Sequence, residues 1–386
     1  MNKIDQSLFK LLRYIKQKDF RGYDPYDTLN SWFPFHKFGK WGPIIAIQLQ
    51  KKNPINIRSL LGIKNDYNPK AMGLFLNCYS ILYEKFNQNE YLEYAEFFLN
   101  WLKKKYSKGY SGYCWGYNFP YATVYRYQKP FIPSSVVTGI VSKGIFSYYK
   151  ITKNEVAKNM LIGAADFVLN DLNQSNLNNG ICFSYTPIQT DLCFNASLLA
   201  AEILSIVYTI DPRTELMDKA IQAVNWVINH QKKDGRWNYS INPRSGIEKK
   251  QIDFHQGYIL ESIFEIKNNL DINSTEWDEA LQSGLKFYKE KQFLLEGCSF
   301  WRWPQKYPIE IHNQAQGIIT FTKLNAYYPK CKNFAFKIAE WTIDNMQARD
   351  GHFYYRNYRF YKNKVPYMRW AQAWMFLSLS YLTKSN

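Results

Sequence analysis

The sequence holds no run of eighteen apolar residues, which excludes a membrane-spanning helix. Its first twenty residues are interrupted by Lys3, Asp5, Lys10, Arg13, Lys16 and Lys18, so no apolar stretch of the secretory kind is left. Cysteine is sparse. Cys78, Cys114, Cys182, Cys193, Cys298 and Cys331 stand far apart, with no CxxC pair and no histidine at zinc-ligand spacing. They read as free thiols of a reducing compartment, and a cytoplasmic protein without a metal is expected. The phosphate-binding GxxxxGK[ST] loop, the dinucleotide fingerprint, the GxSxG elbow and HExxH are all missing. Nucleotide-driven and serine-nucleophile chemistry therefore have no support, and no cofactor is expected.

Acidic residues are also short, 32 Asp and Glu against 49 Lys and Arg, for a net charge of +17. Such an excess favours an anionic partner: an acidic glycan, a lipid-phosphate-linked saccharide or a membrane surface met peripherally. Lysines spread over solvated outer faces would give the same count, so charge alone does not choose. No nucleic acid is expected, because no helix-turn-helix, zinc-finger, RNA-recognition or single-strand-binding signature accompanies the charge.

What the chain does hold is aromatic and repetitive. It has 31 Tyr, 26 Phe and 12 Trp, more than a core also rich in Leu and Ile requires, so some rings are expected to line a cavity. A Gly-led aromatic strip recurs at Gly112–Tyr117, Gly180–Tyr185, Gly235–Tyr239, Gly297–Trp301 and Gly351–Tyr355, at intervals of 54 to 68 residues. Between strips, segments apolar nearly all round fall at about 70–86, 134–149, 191–209, 253–268, 310–327 and 367–383. Amphipathic segments fall at about 5–18, 89–106, 154–171, 213–231, 275–292 and 331–347. Asp211-Pro212 and Pro329 mark two helix ends. A repeat of two helices buries its apolar faces only by stacking on its neighbours. The expected fold is all-α, an (α/α)6 toroid of six hairpins forming one domain over 1–386. A segment at about 21–69, with Tyr23-Asp24-Pro25-Tyr26-Asp27 and Trp32-Phe33-Pro34-Phe35, reads as irregular and covers part of an opening.

If every hairpin has the same sense, the inner helices share one rim of N-termini, and the strips surround a single mouth. Aligned first turns there read Asp191-Leu192-Cys193, Asp253-Phe254-His255, Glu310-Ile311-His312-Asn313 and Met368-Arg369-Trp370. The acid-x-His pair occurs twice on consecutive hairpins in a chain with five histidines. One reading makes His255 or His312 an acid or base, with Asp253 or Glu310 orienting the ring. The other makes the acids helix caps and the histidines partners of nearby amides, and Asp191 fits a cap better. Metal binding lacks a third ligand at matching depth. Tyr185, Trp237, Tyr239, Tyr258 and Tyr355 are candidate rings or phenols of the mouth. Trp301-Arg302-Trp303 presents flat faces on which a sugar can stack. Arg126, Arg356, Arg359 and Arg369 are candidate clamps for a carboxylate or phosphate.

Gln231-Lys232-Lys233-Asp234-Gly235-Arg236-Trp237 matches a repeat seen in terpenoid cyclases, but the Asp-x-Asp-Asp acid of those enzymes is absent, so the Gln reads as structural. The hairpin order, the tail Pro366-Tyr367-Met368-Arg369-Trp370-Ala371-Gln372-Ala373-Trp374 and the opening Gly22-Tyr23-Asp24-Pro25-Tyr26-Asp27 resemble, over essentially the whole chain, α/α-toroid proteins encoded with surface-polysaccharide genes. In outline they are similar to glucuronyl C5-epimerases, heparinase-type lyases and six-hairpin glycosidases. The resemblance implies an enzyme of polysaccharide biosynthesis acting on an oligo- or polysaccharide. As in the lyases and epimerases, Asn313, His312, Tyr258 and Arg369 could handle a proton beside a uronate carboxylate. The alternatives are a glycosidase using Asp253 and Glu310, which in the inverting case needs carboxyls roughly 6.5–9.5 Å apart, and a non-catalytic saccharide-binding or scaffold protein.

Overall fold

The computed structural model describes residues 2–124, 127–328 and 331–383; Arg126 and Pro329 lie outside them. Twelve of the expected helical segments are present among the described residues. The outer set is α1 (Lys3–Gln17), α4 (Asn89–Lys104), α6 (Glu155–Asn170), α8 (Thr214–Ile228), α10 (Thr275–Gln292) and α12 (Cys331–Met346). The inner set is α3 (Pro69–Phe86), α5 (Ser135–Thr152), α7 (Phe194–Tyr208), α9 (His255–Asn269), α11 (Ile311–Lys323) and α13 (Trp374–Leu382), the last entered through a π-helical turn, Met368–Ala373. Hydrophobic pattern sorts the two rings. In α7 every residue from Phe194 to Val207 is buried, whereas α8 buries Leu216, Ala220, Ala223, Val224, Trp226, Val227 and Ile228 and leaves Thr214, Glu215, Asp218 and Gln222 exposed. Consecutive inner helices pack on one another, α13 packs on α3, and α1 packs on α12 and α13, which closes the ring as an (α/α)6 toroid. Among the described residues no helix is long and apolar enough to cross a membrane.

The strips fasten the hairpins. Gly351 adopts φ +103°, and a Cβ there would meet Lys10 O of α1 at 2.4 Å; Gly235, at φ +91°, faces Ser283 O of α10 at 2.3 Å. Glycine is needed because the strip backbone lies directly on the next outer helix. The glutamines do the structural work expected of them. Gln231 Nε2 donates to Gly235 O and Ala280 O, each at 2.9 Å, and Gln347 Nε2 donates to Gly351 O at 2.9 Å and Ser7 O at 3.2 Å. A second glutamine, in the first turn of α9 and of α11 and in the π-helical turn before α13, brackets its strip: Gln256 on Trp237, Gln314 on Ser299 and Gly297, Gln372 on Phe353. Gly351→Ala therefore strains the backbone and pushes α1 off the closing seam. A loss of about 2–4 kcal/mol is expected, read as a fall of about 3–8 °C in Tm.

Where 21–69 was expected to be irregular, it carries two 3-10 turns, Asp27–Asn30 and Phe35–Phe38, followed by a helix, α2 (Trp41–Lys52). The helix is apolar on two faces and opens with Gly42-Pro43, so it has neither an amphipathic period nor a clean start. The segment crosses the rim and is pinned there. Arg58 Nε donates to Asp27 at 2.7 Å, its guanidinium lies 4.7 Å from the Tyr367 ring, and Asp24 grips Arg369.

Candidate functional site

Two-residue strands lead into α7 (Leu192–Cys193) and α11 (Ile309–Glu310), whereas α9 is entered from a turn. Asp253 directly precedes α9 and is 3 % exposed. Its Oδ1 accepts from the His255 backbone N–H at 3.2 Å and lies 2.5 Å from His255 Nδ1, while Oδ2 accepts from Gln251 Nε2 at 2.9 Å. The acid therefore caps the helix and orients the ring at once. Burial alone would raise its carboxyl, but the His255 charge and the hydrogen bonds from His255 and Gln251 outweigh that and hold it below the usual carboxylate range. An ionised partner on Nδ1 keeps a proton on that nitrogen, so Nε2 is the position at which the ring can exchange one. Nε2 makes no hydrogen bond with any described residue, and the ring is half-buried.

The second pair is built differently. Glu310 sits in a strand, Ile309–Glu310, paired with Arg356–Asn357, and this register sets its carboxylate against Arg356. Oε2 accepts from Arg356 Nε at 2.8 Å and also from Nη2, and Oε1 accepts from Trp370 Nε1 at 2.9 Å. Glu310 does not orient His312, contrary to the symmetric expectation. His312 is 1 % exposed, with its Nε2 2.7 Å from the Tyr258 hydroxyl. Rings of Phe254, Trp370 and Trp374 lie at 4.3, 4.8 and 4.7 Å. Burial first, then the charges of Lys70, Arg369 and His255, push its pKa well below the usual value, so the imidazole is neutral. The Tyr258 phenol is pushed well up by the same burial. The two histidines nevertheless converge, since His255 stacks on the other side of the contact network at 4.2 Å from the same Phe254 ring.

Both His312 and Asp253 make acid unfavourable to the fold. A neutral buried His312 stabilises above its unfolded value of about 6.5 and loses that contribution as pH falls; Asp253 does the same below about 3.9. The urea midpoint should fall from pH 7 to pH 5, and His312→Gln should flatten that slope.

Several expected contacts belong to the scaffold. Arg369, expected as a free clamp, is 1 % exposed and doubly bonded to Asp24, at 2.8 Å for Nη2 to Oδ1, because the covering segment delivers that acid to the rim. Its buried Nη1 has no partner among the described residues. Asn313 spends its side chain on Phe254 N, Phe300 O and Trp301 O. Trp237 is fully buried, its indole N–H on Val227 O at 2.8 Å, and Tyr355 is fully buried against Tyr367. Trp303 packs edge-on against Phe287. Asp191 accepts from the Tyr185 backbone N–H at 2.8 Å, as a loop cap does. Trp301 and Tyr185 stay half-buried, and the Arg302 guanidinium lies 4.7 Å from the Trp301 ring. Arg356 is taken by Glu310, and Arg359 is exposed beside Phe360.

Two features were not anticipated. Lys70, in the first turn of α3, is 4 % exposed, with Nζ 5.8 Å from the Tyr258 ring and 5.4 Å from the Trp374 ring. It has no ion pair among the described residues, and burial, then the charge of Arg369, push its pKa well down. A lysine at a helix N-terminus opposes the helix dipole, and Asn68-Pro69-Lys70 could have been flagged on that ground. Further along the inner helices, Lys143 reaches Glu202 at 3.0 Å and Glu261 at 3.1 Å, and Lys323 reaches Glu261 at 2.8 Å and Glu265 at 2.7 Å. These buried charges join α5, α7, α9 and α11 about two helical turns beyond the rim.

No protein-family model matches this sequence, and no curated protein is similar to it. Solved structures are. A cellobiose 2-epimerase from Bacillus thermoamylovorans superposes with a TM-score of 0.63 at 14 % identity, covering 81 % of this chain and 87 % of that one. An unsaturated glucuronyl hydrolase specific for heparin gives 0.64 at 13 %, covering 98 % and 95 %. A GH76 α-mannanase from Bacteroides thetaiotaomicron gives 0.59 at 14 %, covering 81 % and 85 %. At this level of identity the likeness establishes the fold, and the chain is a six-hairpin (α/α)6 toroid of the architecture these epimerases and hydrolases share.

Proposed function

We propose that the chain, acting as one domain, is a carbohydrate-active enzyme that abstracts and returns a proton on an acidic saccharide. The reaction is an epimerisation or, where a leaving group departs, a lyase reaction. One observation carries this: the 2.5 Å Asp253–His255 contact, with no hydrogen bond from Nε2 of His255 to any described residue. His255 takes the proton through Nε2 while Asp253 holds the ring and stabilises the imidazolium. Tyr258, hydrogen-bonded to a neutral His312, is the second proton-handling group. The unpartnered Nη1 of Arg369 offers positive charge to a uronate carboxylate and to the negative charge that grows on it as the C5–H bond breaks, and Lys70, beside the Tyr258 ring, offers a hydrogen-bond donor. Trp301 and Trp370, half-buried, give flat faces for the sugar. The similar folds named for cellobiose 2-epimerase and for a heparin-specific glucuronyl hydrolase agree with a saccharide of this kind. The setting we propose is the assembly of surface polysaccharide.

A hydrolytic carboxyl pair has less support. Asp253 is held ionised by His255, and both oxygens of Glu310 are engaged by Arg356 and Trp370, so neither is poised to donate a proton to a leaving group. The deciding experiment is incubation of glucuronate-, galacturonate- and mannuronate-containing oligosaccharides in heavy water, read by mass spectrometry. Deuterium at C5 or a new unsaturated end is expected. Neither across the panel sinks the proposal. New reducing ends without exchange would point to hydrolysis, and binding without turnover to a saccharide-binding protein.

A further inference from the structure

From Thr28 to Asn65 there is no acidic residue, while Lys37, Lys40, Lys51, Lys52, Arg58 and Lys64 are all cationic. Lys51 and Arg58 turn inward; Lys37, Lys40, Lys52 and Lys64 are exposed. In the same stretch, α2 buries Ile44 and Ile47 against Tyr121 and Ala122, yet presents a second apolar face to solvent. Trp41, Ile45 and Leu49, four residues apart and so on one stripe, are 56 %, 52 % and 65 % exposed. The flanking loops extend this face with Trp32, Phe38 and Leu60, at 69 %, 63 % and 77 % exposed. Trp32 and Phe33 link the loop part of this face. The Trp32 indole N–H donates to Leu60 O at 3.1 Å, the Trp32 ring meets Phe33 at 5.9 Å, and Phe33 stacks on Phe38 at 5.7 Å. Apolar surface of this extent on a soluble face marks a contact with an apolar phase or a partner.

We propose that this face seats the protein on an anionic lipid bilayer, with Trp32, Trp41, Ile45 and Leu49 in the headgroup–acyl boundary and the ring of lysines on lipid phosphates. Indole rings and lysine side chains are the groups that favour this boundary, and the charge adds to apolar burial. Lysine is depleted at protein–protein interfaces, and a second copy of the chain would set these lysines against one another with no acid between Thr28 and Asn65 to pair them. The occupant that suits both the rings and the charges is a lipid surface. The same segment crosses the rim, where Tyr26 meets Trp370 at 5.6 Å and Asp24 holds Arg369, so the bilayer lies at the mouth end of the toroid. None of this depends on the chemistry proposed for His255.

The test is flotation of the full chain with vesicles of phosphatidylcholine alone and of phosphatidylcholine mixed with phosphatidylglycerol, at low and high salt. Binding is expected to the mixed vesicles and to weaken with salt. Lys37→Gln/Lys40→Gln/Lys52→Gln should lower partitioning about 100-fold, roughly fivefold per charge. Trp41→Ser/Ile45→Ser/Leu49→Ser should lower it by about 100-fold or more, with Tm unchanged or raised. Absence of wild-type binding to the mixed vesicles overturns the proposal, as does binding at the wild-type level by both variants. A stable dimer in sedimentation that the apolar substitutions dissolve would also overturn it, showing the patch to be a self-interface.

Discussion

His255→Gln should lower proton exchange on the saccharide by about 10³-fold or more, measured at a temperature where circular dichroism shows the variant folded. The imidazole stacks on Phe254 at 4.2 Å and is the partner of Asp253, so some stability is lost as well, and the rate is compared per folded molecule. Glutamine keeps polarity and size but cannot cycle a proton. Asp253→Asn sharpens the test. An amide at Oδ1 donates as readily as it accepts, so the Nδ1 proton is no longer held and Nε2 can become the protonated nitrogen. A loss approaching that of His255→Gln is expected, about 10³–10⁴-fold, from the wrong tautomer alone. Tyr258→Phe keeps the ring and its packing, and should lower kcat more than it raises KM. Exchange above one-tenth of the wild-type rate in His255→Gln would move the chemistry elsewhere on the rim.

A large stability effect is expected from Glu261→Ala. Glu261 touches Lys143 and Lys323 within 3.1 Å and accepts from Gln316 Nε2 at 3.0 Å, all in the interior of the inner ring. Burial would raise its carboxyl, but the two lysines outweigh that and hold it well below the usual range, so it is ionised in the fold. Removing it leaves two lysines among inner helices with Glu202 and Glu265 as their remaining counter-charges. The expected cost is about 2–4 kcal/mol, from the charge-assisted hydrogen bonds lost at Lys323 and Gln316 and the space left in the interior, and chemical denaturation measures it. Glu261→Leu combined with Lys143→Met, Lys323→Met and Glu202→Gln, which still accepts from Ser262 Oγ, should recover most of the loss, because apolar packing then replaces the network with no buried charge left unpaired. Failure of that recovery would mean the charges hold the helices in register rather than merely neutralising one another.

The hairpin order was legible because apolar periodicity and Gly-led strips are local signals, and both survive without knowledge of which hairpin sits beside which. The helices fall within a few residues of where periodicity put them, except that α13 begins at Trp374 against an expected 367, because Met368–Ala373 is a π-helical turn. The covering segment was harder to read. Its helix depends on burying Ile44 and Ile47 against Tyr121 and Ala122, residues some eighty positions away, and an all-apolar pattern has no period to betray it. The recurrence of acid-x-His located the part of the rim where the two rings share Phe254. It said nothing of which acid serves its histidine. That difference arises from a strand pairing that gives Glu310 to Arg356, and from a covering loop that gives Asp24 to Arg369.

The sequence by itself determined the toroid, its two rings and the one rim on which His255 and His312 meet, because repeated helices of alternating polarity have no other way to bury their inner faces. Tertiary structure alone decided the state of each group on that rim. A carboxylate, an imidazole or a lysine takes its charge from burial and from partners that the chain brings in from distant hairpins. Those partners made Asp253 an orienter, Glu310 a fastener, His312 a neutral ring and Lys70 an amine without a counter-charge.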